Sequence, residues 1–134
     1  MKTQADVALI LWNKDVIQLL SFVLASRNLK STGIEPSEGV QEIERLLAVS
    51  GPDVVVFDLD PPYKRSAAVM LRLLDRFHHC SFVTTCADPA LAVNSVPWLS
   101  NYPVFQKPYH LDDIVETVAS LATQSLAAFA TSVH

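Results

Sequence analysis

Short apolar segments and amphipathic segments alternate five times along this chain, and this alternation is the strongest constraint on its fold. The clearest apolar segment is residues 54–57, in which every side chain is apolar, as expected for a strand buried on both faces. The clearest amphipathic segment is residues 15–27, whose apolar side chains recur with helical spacing. The predicted strands are residues 7–12, 29–34, 54–57, 81–85 and 102–106.

A helix is predicted after each strand: residues 15–27, a segment from Ser37 to Gly51, a segment after Pro61-Pro62, a short segment from Asp88 that ends before Pro97, and a last one from Leu111. Parallel strands need crossover connections of this kind. The pattern therefore predicts a three-layer α/β domain with a doubly wound, five-stranded parallel sheet.

Length and composition agree with one such domain. The chain has 134 residues, of which 50% are apolar and 18% are charged, so it can bury a sizeable core and is not expected to be disordered. We predict a domain over residues 1–122. Residues 123–134 are rich in Ala, Ser and Thr, and they are expected to extend the last helix or to fray from it.

The charge pattern excludes several classes of partner. Ten Lys and Arg stand against fourteen Asp and Glu, a formal net charge of −4, and no basic stretch is longer than Lys64-Arg65, so nucleic-acid binding is not expected. The two longest uncharged runs, residues 89–106 and 117–134, are interrupted by polar residues or proline, so no membrane span is expected. The first apolar run is too short for a signal peptide, which predicts a cytoplasmic location.

Reactive side chains stand where the predicted strands end. Asp58 and Asp60 follow the third strand, Thr84 and Thr85 end the fourth, and Lys107 follows the fifth. In open parallel sheets, ligands bind beyond the carboxyl ends of the strands. We therefore expect a carboxylate, a hydroxyl and an ammonium group to meet at one edge of the sheet.

Three motifs carry a resemblance to a known family. They are Val-Val-Val-Phe-Asp-Leu-Asp-Pro-Pro at residues 54–62, the threonine at the end of the fourth strand, and Gln-Lys-Pro-Tyr at residues 106–109. In their order and spacing, over about residues 5–121, the chain resembles the receiver domains of two-component response regulators. The resemblance implies a flavodoxin-like fold with strand order 2-1-3-4-5.

The resemblance also implies a role for each of these residues. Asp58 matches the phosphoacceptor, a carboxylate that attacks phosphorus to form an acyl phosphate. Thr85, with Thr84 as the alternative if the register is shifted by one, matches the hydroxyl that binds a phosphoryl oxygen. Lys107 matches the lysine that pairs with the aspartate, and its bond to Pro108 is expected to be cis.

The same resemblance implies a Mg²⁺ site, but the chain departs from the family pattern there. Asp58 and the backbone carbonyl of Asp60 match metal ligands, whereas Trp12 and Asn13 stand where relatives carry an acidic pair. Asn13 offers only a neutral amide oxygen to a cation that prefers charged oxygen ligands. Asp15 is a possible substitute, although we expect it to cap the first helix. Mg²⁺ binding is therefore expected to be weak or absent, and no other cofactor is expected.

A second departure concerns signalling. Relatives carry Tyr or Phe three residues before the lysine, where it moves inward together with the threonine; here that residue is Val104. Tyr102 and Phe105 are expected to lie out of register or on the opposite face of the strand. The usual threonine and aromatic switch is therefore not expected.

Two hypotheses for the function follow from the resemblance. In the first, a histidine kinase or relay protein phosphorylates Asp58. In the second, which we favour, the chain is an atypical receiver that acts through protein–protein contacts or dimerises through helix 4, strand 5 and helix 5. Neither makes the chain a turnover enzyme. The alternative is a phosphatase of the haloacid dehalogenase type, which also uses an Asp-x-Asp motif such as residues 58–60.

Overall fold

A computed structural model describes the backbone of residues 4–132 and the side chains of residues 4–127. Its strands are β1 (Asp6–Ile10), β2 (Lys30–Ile34), β3 (Val54–Asp58), β4 (Ser81–Cys86) and β5 (Val104–Gln106). Its helices are α1 (Lys14–Ser26), α2 (Val40–Ser50), α3 (Tyr63–Arg76), α4 (Pro89–Ser95) and α5 (Leu111–Ser132). Short 3₁₀ helices occur at Pro36–Glu38 and Pro97–Asn101.

The five strands form one parallel sheet in the order β2-β1-β3-β4-β5, which confirms the predicted fold class and strand order. Alternate side chains of each central strand enter different cores. In β1, Leu9 packs against α1 and α5 on one face, whereas Ile10 packs against α2 and α3 on the other. The sheet is therefore the middle layer of three, and the carboxyl ends of its strands meet at one edge.

The strand and helix boundaries differ from the predicted ones by a few residues. β1 ends at Ile10 because the chain turns there into the start of α1, and β5 begins only at Val104, after Pro103. Proline lacks the backbone N–H that a ladder needs. The short fourth helix ends before Pro97, as predicted, but the 3₁₀ helix that follows it was not predicted.

A buried ion pair joins α2 to α3 on the face away from α1. Glu44 on α2 is 7% exposed, and its two carboxylate oxygens lie 2.7 Å from Arg72 Nη2 and 2.8 Å from Arg76 Nη1 on α3. The hydrogen bond from Arg76 holds the pKa of Glu44 below its ordinary value. The carboxylate therefore connects two helices that flank the edge where β3 ends.

Among residues 4–132, none of the helices combines the length and the apolar character that crossing a membrane requires.

Candidate functional site

Three predicted site residues converge at the carboxyl ends of β3, β4 and β5. Thr85 Oγ1 donates a hydrogen bond to Asp58 Oδ1 over 2.8 Å, and Lys107 Nζ lies 2.6 Å from the same oxygen. Asp58 is 6% exposed and Thr85 is fully buried. The expected meeting of carboxylate, hydroxyl and ammonium is thus present in the structure.

Backbone hydrogen bonds fix these three side chains in place. β3 and β4 pair in a register that sets Asp58 opposite Thr85, and the N–H of Leu59 donates to the Thr85 carbonyl at 2.8 Å. The N–H of Lys107 donates to the Cys86 carbonyl, also at 2.8 Å. The Lys107-Pro108 bond is cis, as the resemblance implied. The sheet therefore positions the cluster through its main chain.

Thr84, unlike Thr85, does not donate a hydrogen bond to Asp58. Its hydroxyl donates to the carbonyl of Pro103 at 2.9 Å, in the connection that leads into β5. Because successive strand residues point to opposite faces, only one of the two threonines can reach Asp58. The geometry selects Thr85 over the alternative, Thr84.

The second oxygen of Asp58 has a partner that the sequence did not suggest. The backbone N–H of Trp12 donates to Asp58 Oδ2 at 3.3 Å. Patterns in the sequence report on side chains, so they could not indicate that the backbone N–H of Trp12 binds Asp58. Both carboxylate oxygens of Asp58 thus accept a hydrogen bond or pair with a cation.

Asn13 is the N-cap of α1, and the expectation that Asp15 caps this helix was wrong. Asn13 Oδ1 accepts hydrogen bonds from the backbone N–H groups of Asp15 and Val16, at 2.9 and 3.2 Å. An N-cap side chain satisfies N–H groups that the first helical turn leaves without partners. The amide oxygen that the resemblance implies as a metal ligand therefore accepts two hydrogen bonds from the first turn of α1. Asp15 is an acidic residue of the first turn instead.

Asp60 is exposed, and its backbone is tied to α3. Its N–H donates to Ser66 Oγ at 2.9 Å, and the same hydroxyl donates back to the Asp60 carbonyl at 2.7 Å. Sequence reasoning missed Ser66, because this contact depends on how the chain turns through the two intervening prolines. The carbonyl suggested as a metal ligand therefore already accepts a hydrogen bond.

The oxygen atoms that the resemblance implies as Mg²⁺ ligands already have other partners in the structure. Mg²⁺ favours octahedral oxygen coordination and usually binds through carboxylates. Of the three ligands implied by the resemblance, Asp58 is paired with Lys107, Asn13 caps α1, and the Asp60 carbonyl accepts from Ser66. Trp12 adds no oxygen ligand from its side chain.

Two further ionisable groups border the cluster and remain neutral near pH 7. Burial raises the pKa of the Cys86 thiol, and burial together with the nearby charge of Asp58 raises the pKa of the Tyr109 phenol. Each group is uncharged below its ordinary pKa, so an increase keeps it protonated. Neither group therefore adds a charge beside the ion pair of Lys107 and Asp58 near neutral pH.

The side chains of β5 lie on the faces that strand alternation predicts. Val104 packs with the core beneath α2, α3 and α4, whereas Phe105 packs with the core beneath α1 and α5. Tyr102 precedes the strand and packs edge-to-face on Trp98, with 6.1 Å between ring centroids. The position three residues before Lys107 thus holds a half-buried aliphatic side chain that packs against the core.

Comparison with known proteins finds similarity in structure alone. No protein-family model and no curated protein sequence matches the chain significantly. A response regulator from Thermotoga maritima is 18% identical with a TM-score of 0.72, over 90% of this chain and 98% of that one. An orphan response regulator of H. pylori is 15% identical with a TM-score of 0.71, over 88% of this chain and 96% of that one.

A third similar structure is the apo receiver domain of nitrogen regulatory protein C, solved in solution. It is 20% identical with a TM-score of 0.70, over 90% of this chain and 95% of that one. The similarities give no support to the haloacid dehalogenase alternative, and the Asp-Leu-Asp motif follows the third strand of the sheet rather than the first. The chain therefore has the fold of the receiver domains of response regulators.

Proposed function

We propose that this chain is a receiver domain of two-component signalling that acts in the cytoplasm through protein–protein contacts, with impaired Mg²⁺ binding beside Asp58. The fold and the cluster of Asp58, Thr85 and Lys107 support the receiver assignment. Trp12 and Asn13, which stand between β1 and α1, support the impaired metal site. The proposal assigns no catalytic turnover to the chain.

One observation carries the proposal: Asn13 caps α1 through the oxygen that a cation would need. Trp12 contributes a backbone donor, and the acids expected at positions 12 and 13 are absent. At about 4 Å and an effective dielectric near 20, two unit charges attract by about 4 kcal/mol, and a divalent ion doubles that gross value. The absence of carboxylates at positions 12 and 13 therefore weakens Mg²⁺ binding strongly. This holds even after subtracting the free energy that desolvating those carboxylates would have cost.

A partner surface adjoins the cluster on the α1 side. Leu19 and Phe22 on α1 are exposed apolar side chains, which we name the α1 surface. A cleft of about 490 Å³ continues from it to the Asp58 site and is lined by Val16, Leu19, Lys107, Pro108, Tyr109 and Leu111. Since Lys107 belongs to both, a helix seated here approaches Asp58. We assign this surface to a histidine kinase, a relay protein or another signalling protein.

We also propose a homodimer through α4, β5 and α5. β5 is an edge strand, and Leu91 on α4 is an exposed apolar side chain beside it. Sedimentation velocity of the wild type and of Leu91→Glu tests this face. Leu71→Glu is a matched control, because Leu71 is equally exposed but lies on α3. A dimer that both substitutions leave intact contradicts the assignment.

Phosphorylation of Asp58 is the second candidate function, and the convergence of Thr85 and Lys107 on its carboxylate favours it. The two candidates are separated by incubating the wild type and Asp58→Asn with acetyl phosphate and Mg²⁺ and measuring intact mass. The atypical receiver gains no phosphoryl group. A gain of one phosphoryl group in the wild type, absent from Asp58→Asn, establishes the second candidate instead.

A further inference from the structure

A cavity of about 360 Å³ opens beside Asp58, on the side of the sheet that faces α2 and α3. It lies between the end of β1, the first turns of α2, and the loop from β3 to α3. Most of its lining is apolar: Trp12, Pro36, Val40, Ile43, Phe57 and Val69, together with Pro61 and Pro62. Its volume falls at the lower end of the range for small-molecule sites, about 300–1,000 Å³.

Trp12 gives this cavity an aromatic wall. The residue is 49% exposed, although it is among the largest apolar side chains of the protein. Covering an exposed aromatic face is favourable because it removes apolar area from water. The rigid prolines and the flat indole favour a planar occupant.

Arg65 is the cationic member of the lining. Among the side chains of residues 4–127, no ion pair to Arg65 is present, although three other arginines on α2 and α3 are paired with glutamates. A guanidinium group binds a carboxylate through two parallel hydrogen bonds. It is therefore suited to orient an anionic ligand at the mouth of the cavity.

The two carboxylates that line the cavity, those of Asp58 and Asp60, do not prevent an anion from binding there. The charge of Asp58 is balanced by Lys107, whose Nζ lies 2.6 Å away. Asp60 is exposed, so water screens its carboxylate. Arg65 is also exposed, so water screens both groups, and the difference between them is one of geometry. An anion gains two parallel hydrogen bonds from the guanidinium group, whereas a cation on Asp60 gains a contact with a single carboxylate.

We propose that this cavity binds a small planar aromatic carboxylate, with its ring against Trp12 and its carboxylate on Arg65. The cavity shares Asp58 and Asp60 with the candidate phosphoryl site, but ligand binding in it does not require the function proposed above. It touches the Asp58 site through Trp12, whose backbone N–H binds Asp58 Oδ2. An occupant that moves Trp12 alters that hydrogen bond.

Two-dimensional ¹⁵N NMR of the full chain tests the proposal, because the chain has two tryptophans and hence two indole N–H signals. Trp98→Phe assigns them. The probe is 2-naphthoate, and 2-naphthalenemethanol and 2-naphthylmethylamine are probes of the same shape with neutral and positive groups. We expect 2-naphthoate to shift the Trp12 indole signal, not that of Trp98, with a Kd of about 1 mM, as is usual for so small a ligand.

Two variants then test the anion contact. Arg65→Gln is expected to weaken 2-naphthoate by about threefold, to the level of the alcohol, while leaving the alcohol unchanged. Lys64→Gln is the matched control, because Lys64 is the neighbouring exposed cation and does not line the cavity. Equal effects of the two variants, or tighter binding of the amine than of the carboxylate, overturn the anionic class. An unmoved Trp12 signal at about 10 mM probe, or equal shifts of both indoles, overturns the site itself.

Discussion

Asp58 and Lys107 form an ion pair whose two members differ in their access to water. The Asp58 side chain is 5% exposed and that of Lys107 is 40% exposed, with 2.6 Å between Oδ1 and Nζ. Removing the lysine leaves a buried carboxylate without its cation. Removing the carboxylate leaves a lysine that can turn into solvent. Replacing Lys107 and replacing Asp58 should therefore lower the free energy of unfolding by different amounts.

We expect Lys107→Met to lower the free energy of unfolding by about 2 kcal/mol, because the carboxylate loses its cation and keeps the hydrogen bonds from Thr85 and Trp12. Asp58→Asn should cost less, and the double variant should recover most of the loss caused by Lys107→Met. Urea unfolding of the four proteins completes the cycle. Additive effects of the two substitutions contradict a coupled pair.

The capping assignment predicts a different ranking at the start of α1. Asn13→Ala should lower the free energy of unfolding by about 1 kcal/mol, because two backbone N–H groups lose their acceptor. Asn13→Asp keeps a capping oxygen and should stay close to the wild type. Asp15→Ala serves as the control and should cost less than Asn13→Ala. The reverse order in thermal or urea unfolding argues that Asp15 is the cap after all.

Restoring acids after β1 should create a metal site. The double variant Trp12→Asp with Asn13→Asp should bind Mg²⁺ at least about tenfold more tightly than the wild type by isothermal titration calorimetry, because two carboxylates then face the dication. Trp12→Asn with Asn13→Ser is the neutral control, which keeps a capping residue without adding charge. Wild-type affinity equal to that of the acidic variant contradicts our account of the impaired site.

The ion pair between α2 and α3 predicts a pH dependence of stability. Arg76 lowers the pKa of Glu44 below its ordinary value of 4.5, so the folded chain favours the carboxylate. Its contribution is complete above that ordinary value and is lost as the pH falls through the lower, folded value. Glu44→Gln should therefore be less stable than the wild type near neutral pH.

The gap in the free energy of unfolding between Glu44→Gln and the wild type should begin to close as the pH falls below the ordinary value of 4.5, and should keep closing as the pH falls through the lower pKa of the folded state. Chemical denaturation at several pH values measures this. Glu42→Gln is the control, because Glu42 pairs with Arg45 on the exposed side of a single helix. Its effect should be smaller, since exposed pairs contribute little. A gap at Glu44 that persists at low pH contradicts the prediction.

Much of the fold and part of the site could be predicted because they depend on local patterns. The apolar run of β3 and the helical spacing in α1 predicted the layers of the α/β fold. The positions of Asp58, Thr85 and Lys107 at the ends of strands predicted that they meet at one edge of the sheet. These residues were predictable because a parallel sheet aligns the carboxyl ends of its strands.

The remaining contacts depend on tertiary geometry or on choices between neighbouring residues. Asn13 and Asp15 are both good capping residues, and only the start of α1 decides between them. The N–H of Trp12 is a main-chain donor that no side-chain pattern reveals. Ser66 reaches Asp60 through a loop whose course the sequence does not specify.

The contact between Trp12 and Asp58 uses the main chain, so it constrains the backbone at position 12 and leaves the side chain free to vary. Any residue except proline can supply the same donor. Tryptophan and aspartate are thus interchangeable there as far as this hydrogen bond is concerned. A substitution at position 12 can therefore replace a metal ligand by a cavity wall while the backbone N–H of that residue still binds Asp58.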